Sequence, residues 1–198
     1  MLQSLEKTTI MKKIILSATF VAVTMLSINA QKLITRTGKA SIYSHTLAED
    51  IRAENYTVTG VITIATGDIA ISVPVQSFQF EKSLMQEHFN NPNFMDSKKY
   101  PRILLKGKIT NLPAINFSKN GKYEALITGD LTIREVTRTI SEKATIEVSN
   151  GKLIVSTTFM VKDIGSYGVG KPSGKKKNNV ADDIEVKYLA VYDKGEEE

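Results

Sequence analysis

The chain has 198 residues, 41% of them hydrophobic and 24% charged, with no Cys, no Trp and a formal charge of +5. This is a globular composition, neither disordered, nor collagen-like, nor a disulfide scaffold. Zero Cys removes zinc fingers, iron-sulfur clusters, thiol catalysis and disulfide staples, and leaves His45 and His88 as the only imidazoles.

Met11 to Ala30 reads as a secretory signal. Lys12 and Lys13 supply the positive start, Ile14 to Ile28 is an uncharged run of apolar and small residues, and Ile28-Asn29-Ala30 precedes the cut before Gln31. The run is about 15 residues, short of the roughly 20 that span a bilayer as a helix, so removal is favoured over a permanent membrane anchor. The ten residues before Met11 carry no motif and leave open whether Met1 or Met11 is the start. The division is therefore 1–30 as leader and signal peptide and 31–198 as one domain, large enough to enclose a cavity in its core. Loss of Lys7, Lys12, Lys13 and Glu6 lowers the net charge from +5 to +3. The remaining basic residues are dispersed, except Lys175, Lys176 and Lys177, which follow the loop composition Lys171-Pro172-Ser173-Gly174 and read as solvated. A nucleic-acid partner would need a denser basic face with interleaved aromatics, and export itself argues against one.

From Gln31 onward apolar residues recur with period two in segments broken by Gly, Asn and Pro, which predicts an antiparallel sheet. One or two strands fall near Leu33 to His45. Val58, Ile62 and Ile64 share a face, and after a Thr66-Gly67-Asp68 turn Ile69, Ile71, Val73 and Val75 repeat the pattern as a hairpin partner. Ile103, Leu105 and Ile109 alternate with Leu104, Lys106 and Lys108; Ala125, Ile127, Leu131 and Ile133 alternate with polar residues. Ala144, Ile146 and Val148 lead to Asn150-Gly151, the strongest hairpin signal in the chain. Leu153, Val155, Thr157, Phe159 and Val161 follow, and Ile184 to Ala190 gives the last strand before the Glu196-Glu197-Glu198 tail. The count reaches about eight, enough to close a barrel and abolish its edges.

Glu81 to Tyr100 breaks the pattern. Leu84, Met85, His88 and Phe89 fall on one face of a short helix that ends before Pro92. Phe78, Phe80, Phe89 and Phe94 surround it, four of the seven Phe residues in the chain, which suggests an aromatic plug or lid over an apolar interior, or a satellite cluster with no ligand.

The segment from Met85 to Ile103, with His88-Phe89, Phe94, Asp96 and Tyr100-Pro101 leading into a strand, resembles the central signature of the YceI-like family of exported bacterial proteins. Gly129-Asp130-Leu131-Thr132-Ile133 followed by Val136-Thr137 resembles that family's Gly-x-Leu-Thr-Ile-x-x-Val-Thr strand and turn. The resemblance runs from about Tyr56 to Ala190. It implies an all-β fold, an eight-stranded antiparallel lipocalin-like barrel with a short helix inserted between strands. It also implies an apolar channel that holds a polyisoprenoid or similar amphiphile; no cofactor and no metal are expected from the residues themselves. In this reading Ile62, Ile64, Ile127, Leu131, Val155 and Phe159 line the channel, and Phe78, Phe80, Leu84, Met85, Phe89 and Phe94 close one side. Tyr100 either starts the next strand, since Pro101 forces it into an extended conformation, or hydrogen-bonds a headgroup at the mouth. Glu135 stands where many members carry Gly, and Ser41 to His45 matches the family's early strand only loosely, so a shorter barrel would admit a shorter lipid or an interior filled by side chains.

Catalysis has little to build on. A nucleophile would be Ser83 or Ser97 with His88 and Asp96, yet no nucleophile elbow is present. His88 is better read as capping the short helix or bonding a carbonyl, and Asp96 as capping the turn Ser97-Lys98-Lys99 or pairing with a basic neighbour. His45 and His88 lack carboxylates at metal-binding spacing, and Asp182-Asp183, read as adjacent strand residues, would point to opposite faces. Three functions follow: a non-enzymatic lipid carrier of the periplasm or exterior; an envelope interaction module with a filled barrel and partner-contacting loops such as Gly165 to Asn179; and a hydrolase or isomerase of a hydrophobic substrate. Whether two barrels pair as a homodimer is left open.

Overall fold

The alternating runs form nine strands and one α-helix in a computed structural model that describes residues 31–46, 49–170 and 181–194. The expected leader and signal peptide (1–30), the lysine-rich segment 171–180 and the acidic tail lie outside the described residues. The elements are β1 (Lys32–His45), β2 (Asp50–Thr63), β3 (Asp68–Pro74), β4 (Gln79–Phe80), α1 (Ser83–Asn90), β5 (Arg102–Ile109), β6 (Gly121–Ile133), β7 (Val136–Ser149), β8 (Lys152–Val161) and β9 (Ile184–Lys194). No helix among the described residues is long and apolar enough to cross a membrane.

The sheet runs β1-β9-β8-β7-β6-β5-β3-β2, all antiparallel, and β1 pairs back onto β2. Eight strands therefore close a barrel, and the two-residue β4 is an extra strand held on β2 through Ala53 and Glu54. β2 is longer than the hairpin pattern suggested because it starts at Asp50, while Ile64 and Val75, counted as strand residues from the sequence, fall in the turn after β2 and in a 3-10 turn after β3.

Local backbone chemistry sets the ends. Asn150 (φ 50°) and Gly151 (φ 79°) both take the left-handed conformation that a two-residue hairpin turn needs. Between β6 and β7 the left-handed residue is Arg134 (φ 55°) rather than Glu135, the position the resemblance singled out. At the seam where β3 ends, the fully buried Asn55 of β2 donates Nδ2 to the Pro74 carbonyl at 2.8 Å, and its Oδ1 accepts from the Thr57 N–H at 2.8 Å. This side chain replaces ladder bonds that β3 no longer provides.

β7 and β8 pair only from Thr145 to Ser149, and part toward the α1 end of the barrel. The Thr157 hydroxyl donates to the Lys143 carbonyl at 2.6 Å where the ladder stops. Beyond that point Tyr167 and Val169 pack against Leu131, Ile133, Val161 and Phe159, and the Arg138 guanidinium lies over the Tyr167 ring. The interior thus holds two hydrophobic clusters: one around Ile62, Ile109, Ile146 and Tyr192, the other around Val75, Met95, Ile133 and Tyr167 at the α1 end.

Candidate functional site

The barrel encloses a cavity of about 530 Å³. Its wall is set by the pleat, since residues of one parity on each strand point inward. Ile103, Leu105 and Ile109 face it from β5, Ile127, Leu131 and Ile133 from β6, and Val155, Phe159 and Val161 from β8. An interior filled by side chains, which the interaction-module alternative needs, is not what this barrel has.

Of the residues expected to line a channel, Ile62, Ile127, Leu131, Val155 and Phe159 stand on the cavity wall, and Phe78, Phe80 and Phe94, with Leu84, Met85 and Phe89 of α1 itself, stand at the end that α1 covers. Phe89 of α1 holds this end together, its ring 5.4 Å from Phe78 and 4.9 Å from Phe80 between centroids. Gln86 fastens the helix, donating to the Phe78 carbonyl (2.6 Å) and accepting from the Phe80 N–H (3.1 Å). An eight-residue helix with no fully buried side chain would be marginal alone. These contacts keep it over the opening, where Leu84 is 60% exposed.

Two expected wall residues sit elsewhere. Ile64 packs against the core from the turn after β2. Tyr100 belongs to a polar clamp outside the cavity: the Arg134 guanidinium lies 5.2 Å from its ring centre, and its hydroxyl bond holds the Glu135 carboxyl below the usual range, helped by the Glu135 backbone and by Arg134 and Lys99 beside it. Arg134 Nη1 also donates to the carbonyls of Phe94 (2.8 Å) and Gly168 (2.6 Å), tying the β6–β7 turn to two loops at the same end of the barrel. We expect Arg134→Ala to cost about 2–3 kcal/mol in urea unfolding, because two charge-assisted bonds are lost. Arg134→Gly loses the same bonds but relieves the positive φ, and should recover about 1 kcal/mol of that.

His88 makes no hydrogen bond through its ring among the described residues; it stands on the cavity wall instead of capping the helix. Asp96 serves through its backbone rather than its carboxylate, its left-handed φ of 46° placing its carbonyl to accept from Lys99 and Tyr100 N–H groups. Asp182 and Asp183 precede β9 rather than lying within it, and an Asp183 carboxylate oxygen accepts from the Asp163 N–H at 3.0 Å. Polar groups on the wall cluster at the α1 end, where Lys82 pairs with Glu49. The exceptions deeper in are Thr157 and two tyrosines, Tyr188 and Tyr192, whose hydroxyls are 2.7 Å apart.

Burial pushes the Tyr192 hydroxyl up to about 12, the Tyr188 bond opposing it in part; burial, with the Tyr192 hydroxyl beside it, also raises Tyr188. A folded value above the unfolded value of 10 means that stability is full below about pH 10 and is lost as pH climbs toward 12. In an absorbance titration these two of the seven tyrosines should ionise late, together with the loss of far-ultraviolet ellipticity.

The YceI-like domain model matches residues 27–192. The chain belongs to the YceI-like family. Solved structures share the barrel of this YceI-like protein. BcnA of Burkholderia cenocepacia is 19% identical, with a TM-score of 0.64 over 78% of this chain and 95% of that one. A polyisoprenoid binding domain from Saccharophagus degradans, implicated in plant cell wall breakdown, is 9% identical, with a TM-score of 0.68 over 84% and 99%. The YCEI protein of Campylobacter jejuni is 20% identical, with a TM-score of 0.58 over 77% and 90%. No curated protein is significantly similar to the chain. At these identities the likeness is one of fold. Within the YceI-like barrel, Arg134 and the Tyr188–Tyr192 pair went unread in the sequence. A two-residue turn lacking Gly flags Arg134, and two Tyr at inward positions of one strand flag the pair.

Proposed function

We propose that this YceI-like protein is a non-enzymatic lipid binder, exported to the periplasm or beyond, that holds one polyisoprenoid or similar amphiphilic chain as a carrier or store. The observation that carries this reading is the apolar cavity, walled by branched aliphatic side chains from the barrel strands and covered at one end by α1. A hydrocarbon gains about 0.8 kcal/mol per buried CH₂, so a chain needs only a narrow apolar tube to be retained. Ile62, Ile127, Leu131, Val155 and Phe159 would contact it, with Phe78, Phe80, Leu84, Met85, Phe89 and Phe94 at the entrance. Among the described residues Ser83, Ser97, His88 and Asp96 form no hydrogen-bonded set, which favours binding over hydrolysis. Protein purified from a bacterial periplasm should release a stoichiometric lipid between native and denaturing mass spectra. Protein that comes bare and takes up no isoprenoid chain on reconstitution would refute the reading.

A further inference from the structure

Two hydroxyls meet in the half of the barrel remote from α1, and a third, that of Thr35, is buried nearby in the ladder but off the cavity wall. Tyr188 and Tyr192 are four residues apart on β9, so they share its inner face, and their hydroxyls bond each other at 2.7 Å. The Tyr192 hydroxyl lies over Gly60, where a Cβ would overlap it. Thr35 is the cross-strand partner of Gly60 and follows Ile34, the partner of Asp193 on β9. Its hydroxyl is buried without a hydrogen-bond partner. The mutual tyrosine bond uses one of the pair's two O–H donors, so one donor has no acceptor among the described residues. Both tyrosines line the cavity beside Ile62, Ile69 and Ile109.

We propose that Tyr188 and Tyr192 form a buried subsite for one neutral oxygen of the ligand, a carbonyl or hydroxyl, so that the lipid enters oxygen-end first. This rests on the lipid-binding reading above and narrows its ligand. The oxygen is neutral because a carboxylate or phosphate here would be a buried charge facing hydroxyls and aliphatic groups, with no cation beside the tyrosine pair among the described residues. The tyrosines are suited to donate, since burial keeps them protonated well above neutral pH. A plain hydrocarbon would leave that donor unsatisfied.

The test is a competition. Delipidated full-length protein is equilibrated with equal amounts of 2-heptadecanone and heptadecane, freed of unbound compound, and the extracted ligands are quantified. The ketone-to-alkane ratio should fall roughly three- to tenfold in the double variant Tyr188→Phe/Tyr192→Phe, which removes the free donor; either single change breaks the mutual bond, frees the remaining hydroxyl and leaves one donor available. Thr35→Val, which removes a buried hydroxyl off the cavity wall and leaves both rings in place, should keep the parent ratio and shows that loss of a nearby hydroxyl alone is not the cause. Equal ratios in the parent and in the folded double variant would overturn the subsite while leaving lipid binding intact. A parent that retains neither compound would overturn the lipid-binding reading, and the subsite with it.

Discussion

Gly129→Ala is expected to destabilise the barrel by about 2–4 kcal/mol, read as a lower urea midpoint at unchanged slope. Gly129 on β6 is the direct partner of Gly107 on β5. A Cβ on Gly129 would lie 2.7 Å from the Gly107 Cα and from the Lys106 carbonyl oxygen, and one on Gly107 would meet the Thr128 carbonyl at 2.6 Å. These neighbours are backbone in a hydrogen-bonded ladder, so neither can move aside as a flexible side chain would. The two strands approach closely here, and that approach needs two residues without side chains. Gly107→Ala should cost a similar amount. Gly151→Ala is the control: its φ is 79° and nothing lies within 4 Å of the added carbon, so only the conformational cost of about 1 kcal/mol applies. A Gly129→Ala shift no larger than that control would mean that the strands separate easily at this point.

The contrast between these glycines also marks what a sequence can convey. Asn150-Gly151 is legible because a tight hairpin imposes its chemistry on two adjacent residues. Gly129 is legible as an irregularity, but its partner is twenty-two positions away, and a one-residue change of register would have paired it elsewhere. The same limit governs the site. Period-two alternation assigns Ile127, Leu131, Val155 and Phe159 to one face, and that face is the cavity. Ile64 follows the same alternation yet lies in a turn, because the pattern continues past the point where β2 ends. Arg134 carries no periodic signal; its role arises from three loops meeting at one barrel end, a relation between segments as far apart as Phe94 and Gly168. The helix was readable from Leu84, Met85, His88 and Phe89, whereas the Gln86 fastening depends on where residues 78–80 come to lie.

Ile127→Trp should lower lipid retention by about fiftyfold with little loss of stability. Ile127 lies on the cavity wall in the middle of β6, two residues from Gly129 and opposite Ile109 in the ladder. An indole there would take space that a lipid chain would otherwise fill, displacing about three methylenes at about 0.8 kcal/mol each. The free protein has room for the ring, so the strain of overpacking a filled core does not arise. Leu126→Trp is the decisive companion, since Leu126 is adjacent in sequence but points outward and is 38% exposed. It changes the same strand by the same kind of bulk without entering the cavity, and should leave retention as it was. Lipid-to-protein ratios from native mass spectra of both variants separate the two faces of β6. Equal losses in both would place the bound chain outside the barrel, whereas loss in Ile127→Trp alone ties retention to the inner wall.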